Sequence, residues 1–310
     1  MIHQVKEGIT SVDQLLDRVV HTDVGLLQES SLHIIRAGGK RLRPQVVFLS
    51  YLAAGGTDIS SAVPLAAAVE LVHTATLVHD DINDHSPTRR GRVAVHARWG
   101  RTFALLTGDY LFTKVYEMMA PYGPDFNVVM ADACVKLVEG ETLQAATAKA
   151  GTIDQQTYKR IVTLKTASLF SAGAIMGAQL AHGTEKVVEA LGNFGQYLGV
   201  AFQIVDDVLD VIGDPDTLGK PVGNDINQGA GAILAQNGRK HTDGSGSSDS
   251  EADPIVTMMA QLKESGAVEI ALLEAREMAS KALASLKDIP ESPATEELAS
   301  LVDEVLERQY

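Results

Sequence analysis

Apolar positions recur at i, i+3 and i+4 along most of this 310-residue chain, the period of a helix with one buried face rather than of a strand. That pattern predicts helices over residues 11–36, 42–54, 61–84, 100–120, 125–148 and 154–182, and further ones over 186–212, 255–286 and 294–309. Glycine and proline punctuate the joints, at Gly38-Gly39, Gly55-Gly56, Pro87, Pro121 to Pro124, Gly151, Gly183 and Gly213 to Pro215. No stretch alternates for long enough to support a sheet. Residues 237–254, NGRKHTDGSGSSDSEADP, break the pattern with Gly, Ser and Asp and no large apolar side chain, and are expected to form a mobile loop. The segment after that loop is too short for a core of its own, so residues 1–310 are expected to make one all-α domain.

Composition agrees with helices. Hydrophobic residues make up 45% and aromatic residues only 5%, a balance that disfavours β-sheet. A net charge of -14 argues against a nucleic-acid or polybasic-membrane role. Cys134, the one cysteine, excludes an intramolecular disulfide and suits a reducing cytoplasm; its VMADACVKLVEG setting reads as core packing. The N-terminus carries acidic residues and lacks an apolar signal-peptide core. No uninterrupted apolar run approaches ~18 residues, so no membrane span is expected.

Two helices end in the same acidic pattern: Asp80-Asp81-Ile82-Asn83-Asp84 closes LAAAVELVHTATLVHDD, and Asp206-Asp207-Val208-Leu209-Asp210 closes LGNFGQYLGVAFQIVDD. The first and last Asp of each are i,i+4 neighbours on one helix face, where like charges repel. Carboxylates near a helix C-terminus also oppose its dipole. A hard divalent cation relieves both costs, and Mg2+ favours a few carboxylates completed by substrate phosphates. One copy alone could be a solvated acidic helix end, but two copies at the ends of apolar runs point to metal.

Against this acidic background, basic clusters stand out. GGKRLRP at 38–44 supplies Lys40, Arg41 and Arg43, and Arg89-Arg90-Gly91-Arg92 follows directly on the first acidic motif. An arginine fork matches phosphate oxygens in pairs. Lys165-Thr166 lies in a helical segment and Lys220 in a Gly/Pro loop. His73 stands seven residues before Asp80, two turns away on the same face, whereas His79 is expected to be structural.

GGKRLRP, LVHDDINDHSPTRRG, GDYL, KTASLF, FQIVDDVLD and LGKPVGND occur here in the order and approximate spacing of the trans-isoprenyl diphosphate synthases. The resemblance runs from about residue 30 to 226. It implies an isoprenoid synthase fold, a helical bundle around a deep central cavity, and a cytoplasmic homodimer with at most transient membrane contact during product release. It further implies Asp80, Asp84 and Asp206 as Mg2+ ligands, supported by Asp81, Asp207 and Asp210. Lys40, Arg43, His73 and Arg90 resemble the residues that hold isopentenyl diphosphate. Arg89, Lys165, Thr166, Gln203 and Lys220 resemble those that hold the allylic diphosphate. One departure is visible: the Lys and Thr that the family commonly carries after the second motif are Ala230 and Ala232 here.

The implied chemistry is prenyl transfer. The allylic C–O bond breaks as metal and basic residues take up charge on diphosphate, isopentenyl diphosphate attacks the cation, and a proton is lost. A terpene cyclase would need no second diphosphate site, and a non-catalytic subunit would be free to lose its acidic motifs. Ala75 and Thr76, one turn before Asp80, stand where short-chain members often place an aromatic floor. Both are small, so a product of six or more isoprene units is expected, with a C20 product as the alternative.

Overall fold

A computed structural model describes residues 3–150, 154–212 and 266–307. Its elements are α1 (His3–Val19), α2 (Gly25–Ile35), α3 (Leu42–Ala53), α4 (Val63–Asn83), a hairpin of β1 (Thr88–Arg89) and β2 (Arg92–Val93), α5 (Val95–Trp99), α6 (Arg101–Met119), α7 (Pro124–Ala150) and α8 (Gln155–Val162). A π-helical turn over Thr163–Ala167 leads into α9 (Ser168–Leu180), followed by α10 (Glu185–Ile212), α11 (Ala267–Ser285) and α12 (Pro293–Leu306). The all-α expectation holds.

Three local features depart from the periodicity. The helix expected over 11–36 is two helices, because Val24 N–H donates to Thr22 Oγ1 (3.3 Å) and Thr22 N–H to the Gln28 side chain (3.0 Å). Such side-chain bonds offer the backbone an alternative to the helical ladder. A two-residue antiparallel pairing, Thr88 with Val93 and Arg89 with Arg92, appears where only a basic run was read. The helix over 154–182 contains the π turn. The loop at 237–254 and the start of the helix expected over 255–286 lie outside the described residues.

Contacts divide the chain into two compact units. One comprises the chain up to Cys134 with Leu169–Gly195 and Ser285–Leu301; the other comprises Val135–Ser168, the part from Gln196 to Ala284, and Val302 onward. In the first, α4 is the central element and packs on α6, α1 and α3. Pro64 in its first turn costs nothing there, since that N–H lacks an intrahelical acceptor anyway. Buried residues surround most of α4, including Leu65, Val69, Leu71, Val72, Ala75 and Val78, the signature of a core helix rather than a surface one. In the second unit, Val162, Ala167, Val200, Ile204, Val205 and Ala275 form the core, with Tyr158 and Leu209 packed against it.

Two helical stretches, Ile59–Asn83 and Gln155–Leu180, are long and apolar enough to cross a membrane by length and composition alone. Their apolar windows are 67% and 72% buried within the protein, so both are core helices.

Candidate active site

In the first unit, α4 presents the first acidic motif at its C-terminal end. Along this helix His73, Leu77, Asp80 and Asp84 keep solvent-accessible surface, as Thr76 does at 8%, whereas Ala75 keeps none. Spacings of three and four residues put this open stripe on one face. His79 turns away from it toward α6, with Nε2 3.3 Å from the Leu105 carbonyl and 3.4 Å from Asp109, and its ring stacks on Phe112. The helix ends as His85 takes a left-handed conformation (φ 53°).

Asp81 is fully buried and accepts from both Nε (2.8 Å) and Nη2 (2.6 Å) of Arg89 on a single oxygen, Oδ1. Its other oxygen, Oδ2, is buried without a hydrogen bond. Burial raises the Asp81 pKa, and Arg89 pulls against that. Burial would lower Arg89 in turn, but Asp81, Asp80 and Asp84 outweigh it and hold the guanidinium above its ordinary value. One arginine therefore answers all three carboxylates of the motif.

The basic clusters converge within the same unit. Arg90 sits at the tip of the hairpin with φ 51°, followed by Gly91 at 71°. Positive φ at both positions is the type I′ turn, whose twist matches that of the flanking strands. Its guanidinium donates to the Gly38 carbonyl. Gly39 takes φ 143°, a conformation that favours glycine, and the Arg90 guanidinium packs against it, 2.9 Å from where a Cβ would stand. The GGKRLRP segment and the Arg89-Arg90 pair, far apart in sequence, thus form one basic surface. Gln45 Nε2 donates to the Lys40 carbonyl at 2.9 Å, and the Arg43 guanidinium lies over the Phe170 ring at 4.7 Å.

His73 registers the resulting field. Burial first, then the charges of Arg43, Arg90, Arg89 and Arg41, push its pKa well below the ordinary imidazole value. The imidazole is therefore neutral among four guanidinium groups. Arg41 and Arg89 are already paired with Glu70 and Asp81, and Arg43 and Arg90 add two more guanidinium groups of the kind that bind phosphate oxygens in pairs.

In the second unit, hydrogen bonds tie the KT segment to the second acidic motif. Thr166 Oγ1 donates to Gln203 Oε1 (2.8 Å), and Gln203 Nε2 donates to Asp207 Oδ1 (2.8 Å). Tyr158 donates its hydroxyl to Asp207 Oδ2 at 2.5 Å. Asp207 and Asp210 are buried, while Asp206 keeps more exposure. The Lys165 ammonium, on the π turn, pairs with Glu141 Oε2 at 2.5 Å and donates to Gln144 Oε1 at 3.2 Å. Lys220 and the Ala230 and Ala232 departures lie outside the described residues.

Four participants escaped the sequence reading. Arg41, named only as part of the basic turn, is buried and pairs with Glu70 at 2.6 Å and Asp13 at 2.9 Å. Glu70 could have been noticed as the lone acid inside LAAAVELVHTATLV. Tyr158 and Glu141 carry no local signal, since their partners are 49 residues away for the one and on another helix for the other. Among the described residues, no three His, Cys, Asp or Glu side chains are gathered into a ready-made cation cage. The donors nevertheless suit a hard cation. Asp80 and Asp84 are accessible on one face, and Asp81 Oδ2 is an unsatisfied buried oxygen beside them.

An all-α fold with two acid-tipped helices, and with guanidinium groups gathered beside the first of them, has the parts that a prenyl-transferring synthase needs. The comparisons with known proteins agree. The polyprenyl synthetase family model matches residues 24–250. The chain is 37% identical to a short chain isoprenyl diphosphate synthase of Methanothermobacter thermautotrophicus over 92% of this chain and 91% of the relative. It is 32% identical to the octaprenyl diphosphate synthase of Escherichia coli over 97% and 96%. The polyprenyl synthase of Caulobacter crescentus, solved in complex with calcium and isoprenyl diphosphate, superimposes with a TM-score of 0.87 at 34% identity, covering 98% of this chain and 96% of that one. The chain belongs to the polyprenyl synthetase family, has the isoprenoid synthase fold, and is a trans-prenyl diphosphate synthase.

Proposed function

We propose that this enzyme is a Mg2+-dependent, homodimeric, cytoplasmic synthase that extends an allylic diphosphate with isopentenyl diphosphate to a long all-trans product. The observation that carries the reading is the cluster of guanidinium groups around neutral His73, on the same helix as the first aspartate motif. Asp80 and Asp84 in the first unit, and Asp206 in the second, would each serve as Mg2+ ligands, and bound Mg2+ would neutralise charge on the departing diphosphate. Lys40, Arg43, His73 and Arg90 hold the diphosphate of isopentenyl diphosphate. Lys165, Thr166 and Gln203 serve the allylic diphosphate, orienting it so that the developing negative charge meets fixed donors. Neutral His73 can donate a hydrogen bond to an anion without adding to the charge repulsion around it. Exposed apolar side chains on α6 and α7, Phe103, Leu105, Leu106 and Val128, support a homodimer.

Turnover of an allylic primer with labelled isopentenyl diphosphate by the purified chain alone tests the activity, and the length of the extracted product tests the long-chain reading. Lys40→Met is expected to raise KM for isopentenyl diphosphate about tenfold or more, with the allylic KM little changed. A rise in the allylic constant instead would reverse the assignment of the two diphosphates.

The long-chain reading rests on the absence of an aromatic ring at Ala75 and Thr76. Of the two, Thr76 borders the face that carries Asp80 and keeps 8% exposure, while Ala75 keeps none, so added volume at Ala75 would overpack more. Thr76→Phe is therefore expected to shorten the product by several isoprene units at near-normal turnover of the primer. A wild-type product that already stops at C15 or C20 would refute the long-chain reading.

A further inference from the structure

The contacts of Lys165 extend beyond the residues so far assigned to substrate. Its ammonium is paired with Glu141 at 2.5 Å and hydrogen-bonded to Gln144 at 3.2 Å, both on α7. Glu141 and Gln144 are i,i+3 neighbours, so one helix face offers two acceptors to one cation. The backbone is arranged to bring this face close. A Cβ at Gly140 would lie 2.6 Å from the Lys165 amide nitrogen and 3.0 Å from its Cα, so α7 touches the main chain of the π turn only because residue 140 is glycine. The π turn itself, Thr163–Ala167, is a local distortion of an otherwise regular helical stretch and carries both Lys165 and Thr166. Such turns are uncommon and concentrate at functional sites.

A lysine on a regular surface would sweep a wide volume, because its stem is flexible and its charge is a compact point. Here the Lys165 and Glu141 side chains are 23% and 24% exposed and the Glu141 Oε2 that faces the ammonium is buried, so the pair is partly desolvated and the attraction is stronger than at a free surface. From this geometry we infer that Glu141, aided by Gln144, is a positioning residue that aims Lys165 for the allylic diphosphate. Glu141 acts through Lys165 and touches neither substrate. This rests on the proposed role of Lys165.

The test is a double-mutant cycle on the full-length enzyme. Glu141→Gln keeps the size of the side chain and removes the charge. It is expected to raise the allylic KM about tenfold, the scale of a hydrogen bond to a charged group, while KM for isopentenyl diphosphate stays within about twofold. Lys165→Gln should raise the allylic KM by at least as much. In the Lys165→Gln background, Glu141→Gln should then have almost no further effect, because a positioning residue has nothing left to position. Gln144→Leu should act in the same direction and more weakly. An allylic KM that falls in Glu141→Gln would mean that the carboxylate competes with diphosphate, and would overturn the inference. So would a Glu141→Gln effect that persists undiminished in the double variant. If Lys165→Gln alone leaves the allylic KM unchanged, the role assigned to Lys165 fails, a result distinct from a missing coupling.

Discussion

Asp80→Ala is expected to lower turnover about a thousandfold or more, with helical content unchanged, because on the proposed mechanism it removes a ligand of the cation that would neutralise the departing diphosphate. Asp80 lies on the accessible stripe of α4 and forms part of the field that holds the Arg89 guanidinium above its ordinary pKa. Asp206→Ala should behave alike, as the most accessible carboxylate of the second motif. Chelation with EDTA should abolish activity of the wild-type enzyme, and added Mg2+ should restore it. Circular dichroism separates loss of chemistry from loss of fold. Near-normal turnover in EDTA or in Asp80→Ala would sink the metal-dependent mechanism.

The second large effect concerns stability. Arg41 and Glu70 form a buried ion pair, with side chains 6% and 3% exposed. Arg41 also donates to Asp13 at 2.9 Å and to the Ile35 carbonyl at 3.2 Å. Burial would lower the pKa of Arg41, but Glu70 and then Asp13 hold it above the ordinary value, so the guanidinium stays charged throughout the accessible pH range. Arg41→Met would leave Glu70 as an uncompensated buried charge, a loss of about 3–5 kcal/mol. Replacing both partners with apolar residues should recover much of it, since the lone charge and not the missing pair is the costly state. Denaturant midpoints of Arg41→Met, Glu70→Leu and the double variant measure this directly. Arg41 also holds a left-handed conformation (φ 49°) between Lys40 and Arg43. Its loss should therefore disturb diphosphate binding as well as stability.

The two DDxxD copies show how much of the site was readable in one dimension. Asp80 and Asp84 share a helix face whatever surrounds them, because 3.6 residues per turn puts i and i+4 together. His73 falls on the same stripe for the same reason. The helices themselves were legible too, since each has a buried face and buried faces leave a period in the chain. The break at residues 20–24 was not legible, because it depends on a threonine and a glutamine bonding to nearby backbone in place of the helical ladder. The hairpin carrying Arg90 was likewise hidden, as two residues per strand leave no alternation to detect.

Local spacing and residue chemistry thus determined the all-α class, the acidic helix ends and the identity of the basic clusters, because each depends on neighbours a few residues away. Tertiary packing alone decided which charges meet. It buried Arg41 against Glu70 and left Lys40 at the surface; it folded Arg90 onto the Gly38 carbonyl; it joined Tyr158 to Asp207 and Glu141 to Lys165. These pairings span from 21 to 52 residues of sequence for contacts such as Lys165 with Gln144 and Arg90 with Gly38. No periodicity encodes them, because the distance between two charged groups is set by how whole helices pack, and that packing is chosen by the apolar faces rather than by the charges themselves.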